Sequence, residues 1–296
     1  MSVIAQRITG RERDLGGFSV RRILPAATQR MVGPFVFLDH MGPVDLPPGP
    51  HINVRPHPHI ALATVTYLFS GEMLHRDSLG TLQEVHAGDV NWMTAGRGIV
   101  HSERSTPRAL REGMHLHGLQ SWVALPDGHE DDAPAFAHHP VGTLPLLETP
   151  DGARLRIVAG ESFGRRSPVA TVWPTLYVDA ALAAGSSLEL PPEHEQRAIY
   201  VASGEVQIDG EKQPLQATEL AVLQPGHTVR LRATADARAM LIGGAAFARP
   251  REIEWNFVAS TRERIEAAKR DWREQNLARF PKVPGDDQEF IPLPGG

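Results

Sequence analysis

The sequence predicts an all-β protein, a sandwich or a barrel, and three observations support this fold class. Short β-type runs recur along the chain, and nearly all of them are bounded by Gly, Pro, Asp or Ser. The 27 glycines and 25 prolines together make up about 18% of the 296 residues, whereas these two residue types make up roughly 12% of an average protein. They are spread along the chain. A helical pattern appears only after residue 250.

The strand-like runs fall into two halves that look like diverged copies. In order they are FVFLDHM, LATVTYLFSG, GMHLHGLQSWVALP, RLRIVAG, TLYVDAAL, RAIYVASGEVQI, ELAVLQPG, TVRLRAT and ARAMLIGGAAF. TVTYLFSGEM aligns with AIYVASGEVQ, which matches Tyr67 with Tyr200 and Gly71 with Gly204. Each run is followed by a further strand and a second turn, so we expect two β domains of related architecture.

An acidic, proline-rich stretch, ALPDGHEDDAPAFAHHP at 124–140, is interpreted as the linker between these domains. It predicts an N-terminal domain over 1–139 and a C-terminal domain over 140–296, the latter carrying a terminal helix and tail. The helix pattern STRERIEAAKRDWREQN starts with Ser260 at the N-cap and Glu263 three residues later, a capping box. Its apolar stripe is narrow and consists of Ile265, Ala268 and Trp272.

Composition and charge exclude several classes of protein. The formal net charge of −5 argues against direct nucleic-acid binding through phosphates alone. Cysteine is absent, which rules out disulfides and thiolate-bound metals. No apolar stretch approaches the ~18 residues of a membrane span, and the N-terminus does not resemble a signal peptide. We therefore expect a cytoplasmic protein without membrane contact. Because each of the two predicted domains would bury its own surfaces, we also expect a monomer.

The run HPHIALATVTYL at 57–68 begins with two histidines one residue apart. On a single strand, His57 and His59 would project from the same face, along with the alternate apolar residues up to Tyr67. The stretch GRGIVHSE repeats this spacing in His101 and Glu103 after a glycine turn. Three imidazoles and one carboxylate on two neighbouring strands predict a metal site for Fe(II), Ni(II), Cu(II), Mn(II) or Zn(II).

The other histidines are interpreted as structural. A His-x-His pair alone more often reflects two hydrogen-bonded histidines than a metal site, and the pair His115 and His117 lacks a matching His-x-Glu pair, so packing or an outer-shell role is favoured. Eight further histidines are interpreted as residues of polar turns (His51, His75, His86), as the residue after the FLD run (His40), as residues of the solvated linker (His138, His139), or as isolated residues of a second half predicted to hold no metal (His194, His227).

At these residues the chain resembles the pirin family of bicupin proteins. The resemblance rests on VGPFVFLDHMGP, RPHPHIALATVTYL, GDVNWMTAGRGIVHSE, HGLQSWVALP and WNFVAS, and it covers essentially the whole chain. It implies two antiparallel cupin (jelly-roll) β-barrels in tandem, with a metal only in the first. The family's three histidines and one glutamate fall on His57, His59, His101 and Glu103. Ala63 and the Thr94-Ala95-Gly96 run depart from the general cupin motifs, but neither departure removes one of these four residues.

The resemblance also implies an activity of the quercetin 2,3-dioxygenase type. The substrates would be a flavonol and O₂, and the expected ion is Fe(II), with Ni, Cu, Mn or Zn as alternatives. Glu103 is the candidate general base for the 3-hydroxyl group, because it is the one carboxylate in the predicted shell. Tyr67, Trp92 and Met93 are candidate pocket walls, although core packing is the favoured interpretation of each.

Two other readings remain open. Some pirins are understood as transcription cofactors, so the metal could instead serve as a redox switch in a regulatory protein that acts through a protein partner without turnover. A purely structural metal is the third reading. It is disfavoured because a chain of this size has sufficient core and structural zinc sites usually use cysteine.

Overall fold

The computed structural model describes residues 2–14 and 18–295, and it consists mostly of β-strands. The strands before the second half are β1 (Ile4–Thr9), β2 (Arg11–Asp14), β3 (Ser19–Leu24), β4 (Phe35–Leu46), β5 (Asn53–His59), β6 (Leu62–Ser70), β7 (Glu72–Asp77), β8 (Leu82–His86), β9 (Val90–Thr94), β10 (Ile99–Arg104), β11 (Met114–Ala124) and β12 (Ala135–His139). The short helix α1 (Pro107–Glu112) follows β10 and is capped by the Thr106 side chain.

The later strands are β13 (Leu146–Glu148), β14 (Ala153–Ser162), β15 (Arg165–Arg166), β16 (Thr175–Leu182), β17 (Ser187–Leu190), β18 (Gln196–Ser203), β19 (Glu205–Ile208), β20 (Leu215–Gln216), β21 (Glu219–Leu223), β22 (Val229–Arg232), β23 (Ala237–Gly244), β24 (Glu252–Glu254) and β25 (Phe257–Ala259). A 3₁₀ turn spans Val141–Thr143, and helix α2 spans Arg262–Arg273. This all-β architecture with a C-terminal helix is the predicted fold class.

The chain forms two compact units that interleave along the sequence. One unit, called the histidine unit below, comprises 12–20, 41–141 and 249–296, and the other comprises 1–11, 21–40 and 142–248. The sequence predicts a single division between 139 and 140, with helix and tail in the C-terminal part. In the structure, α2 and the tail instead belong to the histidine unit.

The other unit, most of which is formed by 142–248, contains two sheets around an apolar core. Their strand orders are β1-β21-β18-β23-β16-β14-β13, with β15 beside β14, and β17-β22-β19-β20. The core includes Leu176, Val178, Ile199 and Leu241, which are fully buried. Such a core stabilises a barrel mainly through the apolar area it removes from water.

The histidine unit uses the four-stranded sheet β5-β10-β7-β8 and strands of the sheet ordered β12-β9-β6-β11-β4-β3-β2. The predicted repeat is visible here: Tyr67 on β6 and Tyr200 on β18 each precede a glycine turn. Gly71 and Gly204 both have positive φ, 87° and 72°, a conformation that glycine adopts without a steric penalty. The two halves therefore share a strand–turn–strand element.

The predicted single strand through 57–68 is wrong, because the chain turns between β5 and β6. Ala61 has a φ of 53°, its N–H donates to the Gly96 carbonyl at 2.8 Å, and its carbonyl accepts the Leu125 N–H at 2.9 Å. The two strands lie in different sheets. The alternation that begins at His57 therefore does not continue to Tyr67.

The predicted linker is also partly wrong. Residues 135–139 form β12, which pairs with β9 and places His138 opposite Asn91. The Nδ1 atom of His138 lies 2.7 Å from the Asn91 side-chain oxygen, so His138 belongs to a sheet edge and not to a solvated loop. Its neighbour His139 is likewise half-buried on β12.

Helix α2 confirms the predicted apolar stripe but begins one residue later than predicted. Its N-cap is Thr261, and the N–H and hydroxyl of Ser260 instead donate to the buried Glu130 carboxylate at 2.6 Å. A tertiary partner thus takes the group that the capping box would have used. The stripe packs on Phe257 and Phe280, and with them covers Ile60 and Val100.

Candidate metal centre

The site forms on one face of the β5-β10-β7 ladder. In the antiparallel pairing of β5 with β10, His101 lies opposite His57, and Ile99 lies opposite His59. Residues directly opposite each other in such a ladder share a face and have neighbouring side chains. A register shift between His101 and Glu103 places Glu103 opposite Val54. The predicted neighbouring strands are therefore confirmed.

The structure brings the three predicted histidines together. His57, His59 and His101 are buried, and one ring nitrogen from each lies within 4.8 Å of the others. Their ring centroids are 4.3 Å apart for His57 and His101, and 5.0 Å for the other two pairs. Neutral imidazoles at this spacing can bind one divalent transition metal ion.

Two of the imidazoles are oriented by main-chain carbonyls. The Nδ1–H of His57 donates to the Arg55 carbonyl at 2.9 Å, and the Nδ1–H of His59 donates to the Asn256 carbonyl at 2.8 Å. A carbonyl only accepts hydrogen bonds, so the proton lies on Nδ1 and the Nε2 lone pair is free for a metal. Metal-binding histidines commonly have such outer-shell partners.

Unpaired polar atoms support the fit to a metal ion. Both ring nitrogens of His101 are buried without a hydrogen-bond partner, an arrangement that is costly unless another group satisfies them. Burial lowers the pKa of His57 to about 4 and holds the pKa values of His59 and His101 well below the usual range. The imidazoles are therefore neutral at pH 7, the form that binds metals.

Glu103 lies on β10 two residues beyond His101, but it is not a member of the three-imidazole cluster. Its side chain is buried, and burial raises the pKa of the carboxyl to about 7. The structure thus brings three of the four predicted ligands together and places the fourth, Glu103, on the strand of His101. Its role as a ligand stays a prediction.

A fourth histidine near the cluster was missed in the sequence. His75, interpreted as a residue of a polar turn, lies buried on β7, and its ring centroid is 5.4 Å from that of His101. Its Nε2 is 3.0 Å from the Asp77 carboxylate, and its ring stacks on Phe136. The signal was present: His75-Arg76-Asp77 repeats the i, i+2 spacing of polar side chains on a strand.

The wall residues differ in part from those predicted. The Trp122 ring lies edge-on at 5.0 Å from His59, and Phe136 stacks on His75 at 4.6 Å. The predicted wall residue Met93 belongs to a small apolar cluster with Ala95 and Ile99. Trp122 therefore contacts the predicted ligand His59, and Phe136 contacts His75.

The pair His115 and His117 lies apart from the cluster. The Nδ1 of His115 lies 2.7 Å from an Asp45 carboxylate oxygen, and the His117 ring packs edge-on against Phe69. His40 contacts the Tyr200 hydroxyl at 2.5 Å, and both residues belong to the unit that comprises 1–11, 21–40 and 142–248. Within 2–14 and 18–295, only His57, His59 and His101 form a group of three side chains close enough to hold one metal ion.

Comparison with known proteins identifies the family. The family model described as pirin matches residues 17–123, and the model of the pirin C-terminal cupin domain matches residues 177–278. A pirin-like protein of Caulobacter vibrioides is 48% identical over 288 residues, which cover 96% of this chain and 97% of that protein. The chain belongs to the pirin family.

Other relatives of this pirin carry a dioxygenase name. A Pseudomonas aeruginosa protein with a provisional quercetin 2,3-dioxygenase name is 39% identical over 95% of this chain and 87% of its own length. The crystal structure of a quercetin 2,3-dioxygenase from Acinetobacter baumannii superposes with a TM-score of 0.89 at 33% identity, covering 98% of this chain and 94% of the other.

The fold extends to more distant pirins. A bacterial pirin from Escherichia coli, solved in complex with nickel(II), superposes with a TM-score of 0.64 at 18% identity, over 81% of this chain and 99% of the other. This similarity supports the bicupin fold.

Across the described residues, neither helix has the length and apolar character needed to span a membrane.

Proposed function

We propose that this pirin is a metal-dependent dioxygenase that cleaves a flavonol of the quercetin type with O₂. His57, His59 and His101 would hold the metal, with Glu103 as the fourth ligand, and Fe(II) is the expected ion. The cluster of three buried imidazoles carries the proposal, because their ring nitrogens lie within 4.8 Å of one another. The dioxygenase names of several relatives support the choice of reaction.

A redox-active divalent metal, when bound, would polarise the flavonol oxygen and make O₂ reactive toward the ring. The protein's own contribution begins with Glu103. The Glu103 carboxyl is buried, and as a metal ligand it would be held as the carboxylate. It would take up a proton when its bond to the metal exchanges. We assign to a Glu103 carboxylate oxygen the proton of the substrate's 3-hydroxyl group. The neighbouring His75 is held by Asp77.

The aromatic surroundings suit a flat substrate. Trp122 and Phe136 contact histidines of the site, and aromatic rings favour offset or edge-on packing with other rings. Hydrogen bonds to main-chain carbonyls hold the His57 and His59 imidazoles in place before substrate binds. Positioning of this kind accounts for much of the rate gain in two-substrate reactions.

The test is aerobic consumption of quercetin, followed by its visible absorbance. Metal-free protein is reconstituted separately with Fe, Ni, Cu, Mn and Zn, and the bound metal is quantified in each sample. Glu103→Gln is assayed alongside, because glutamine keeps the shape of the side chain and removes its ability to take a proton at neutral pH. His115→Ala is the control, since this histidine is paired with Asp45 away from the cluster.

The proposal predicts turnover that requires bound metal, that is lost in Glu103→Gln, and that persists in His115→Ala. If metal-loaded protein consumes no quercetin with any of the five metals, the dioxygenase proposal is wrong for this substrate. The regulatory alternative would then be tested next. Turnover that survives in Glu103→Gln would remove Glu103 from its assigned role as the base.

A further inference from the structure

The hairpin of β24 and β25, near the C-terminal end of the described chain, contacts the cluster formed by His57, His59 and His101. Its two-residue turn consists of Trp255 and Asn256, between the paired residues Glu254 and Phe257. The Asn256 carbonyl accepts the Nδ1–H of His59 at 2.8 Å, although the two residues are 197 positions apart. The stretch WNFVAS therefore contacts a predicted metal ligand directly.

The turn is strained at its first position. Trp255 has a φ of 54°, and a bulky residue in this region of backbone conformation is an outlier. Two-residue hairpins with this conformation usually place glycine at that position. Strained residues persist where the surrounding structure determines them, and they cluster at functional sites.

Neighbouring contacts keep the turn in place. The Trp255 indole lies edge-on against the buried Phe257 ring at 5.4 Å. Phe257 forms an isolated parallel bridge with Ile60, the residue after His59. Both of these residues belong to the apolar cluster under α2. The hairpin is thus fixed against the strand that carries His57 and His59.

We propose that the Trp255–Asn256 turn is a positioning element of the metal centre. By accepting the Nδ1–H of His59, the Asn256 carbonyl sets the tautomer and ring orientation that direct Nε2 toward the cluster. His57 has a local partner two residues away, and the His101 ring nitrogens have none. His59 is accordingly the ligand whose orientation depends on the C-terminal segment.

This inference rests on the metal-binding part of the proposed function and not on the reaction. Loss of an outer-shell partner typically lowers metal affinity 10–100-fold. The turn should therefore affect affinity through its backbone conformation, whatever side chain occupies position 255. Proline and glycine separate the two contributions, because proline fixes φ near −65° and glycine adopts a positive φ freely.

The experiment measures Ni(II) affinity by competition with a chromogenic chelator for the wild type, Trp255→Pro and Trp255→Gly. The proline variant cannot keep the turn, so its affinity should fall 10–100-fold. The glycine variant keeps the turn and loses only the indole, so its affinity should stay within about threefold of the wild type. Urea unfolding of each metal-free variant reports any general loss of stability.

A second measurement does not need the metal. Nitrogen-15 NMR of the metal-free wild type should show His59 as the Nδ1–H tautomer, and Trp255→Pro should shift that signal toward a mixture. A folded proline variant with wild-type affinity would overturn the inference, as would a glycine variant that loses as much affinity as the proline variant. If the proline variant does not fold, an Nε2–H tautomer of His59 in the wild type overturns it and an Nδ1–H tautomer supports it.

A wild-type protein that binds no Ni(II) would contradict the metal-binding part of the proposed function. The tautomer of His59 would still report whether the turn positions the ring. The two failures are therefore distinguishable.

Discussion

His57 lies directly opposite His101 across the β5–β10 ladder, and their ring centroids are 4.3 Å apart. This pairing brings two short sequence motifs, which are far apart in the sequence, together on one side of the histidine cluster. The geometry depends on both strands keeping their register, because a one-residue slip would turn each histidine to the opposite face.

Removing any one cluster histidine should abolish tight metal binding. His101→Ala deletes an imidazole whose two nitrogens have no protein partner, so we expect a loss of Ni(II) affinity greater than the roughly 100-fold seen for outer-shell changes. Equilibrium competition with a chelator measures the effect. The matched control is His117→Ala, which removes a histidine of the second His-x-His pair, and unchanged binding in His101→Ala would refute the assignment.

Gly96→Ala should destabilise the protein strongly. Gly96 has a φ of 50°, and an added Cβ would lie 1.9 Å from the Asp132 carbonyl oxygen. The turn must therefore shift, and with it the start of β10. Gly128→Ala is the control, because its φ is also positive and nothing lies within 4 Å of the added Cβ.

In Gly128→Ala, the strain of a positive φ should lower the free energy of unfolding by about 1–2 kcal/mol. Gly96→Ala should lower the free energy of unfolding by clearly more. Urea denaturation of metal-free protein gives both values. Equal losses in the two variants would show that the close approach of Gly96 to Asp132 does not constrain the turn.

The metal-free protein should lose stability from its buried histidines as the pH falls. Burial lowers the pKa of His57 from 6.5 to about 4, so the unfolded chain binds a proton that the folded protein does not. The stability that the neutral His57 contributes is fully present above pH 6.5 and is lost as the pH falls toward 4. Between pH 7 and 5 the loss is about 2 kcal/mol for His57, and His59 and His101 act in the same direction.

Glu103 should oppose this loss. Its pKa is raised from 4.5 to about 7 by burial, so its contribution is fully present below pH 4.5 and is lost as the pH rises through 7. Replacing it by glutamine removes this compensation. Urea unfolding with a chelator present should show that Glu103→Gln loses about 2 kcal/mol more than the wild type between pH 7 and 5. An identical pH dependence would contradict the raised pKa.

Trp272→Ala should destabilise the histidine unit. Trp272 is 4% exposed in the cluster under α2, and its indole N–H donates to the Ile291 carbonyl at 3.1 Å. Truncating a buried aromatic side chain costs about 3–5 kcal/mol. Leu277→Ala, at a residue 52% exposed, is the control and should change the free energy of unfolding by less than about 1 kcal/mol. Similar losses in chemical denaturation would show that α2 does not stabilise the unit.

Local spacing was sufficient to predict much of the fold and three residues of the site. The i, i+2 histidines and the glycine turn before His101 specify strands and a shared face, and these are properties of neighbouring residues. The break at Ala61 was not predictable in this way. Alanine rarely adopts a positive φ, and its conformation here is accompanied by hydrogen bonds to Gly96 and Leu125, which are distant in the sequence.

The remaining differences also come from tertiary contacts. Glu130 takes the hydrogen bonds of Ser260 and moves the helix start. His75 reaches the cluster because β7 pairs with β10, and Asn256 reaches it from a hairpin near the end of the chain. In each case the local pattern is compatible with several partners, and only the pairing of distant strands selects one.

Metal binding by the three clustered histidines is tested most directly by anomalous diffraction. Crystals of the protein are loaded anaerobically with Fe(II) and measured at the iron absorption edge. We predict one anomalous peak among the Nε2 atoms of His57, His59 and His101, with a Glu103 carboxylate oxygen as the fourth protein ligand. A peak at another site, or none at the cluster in protein shown to contain iron, would contradict the account.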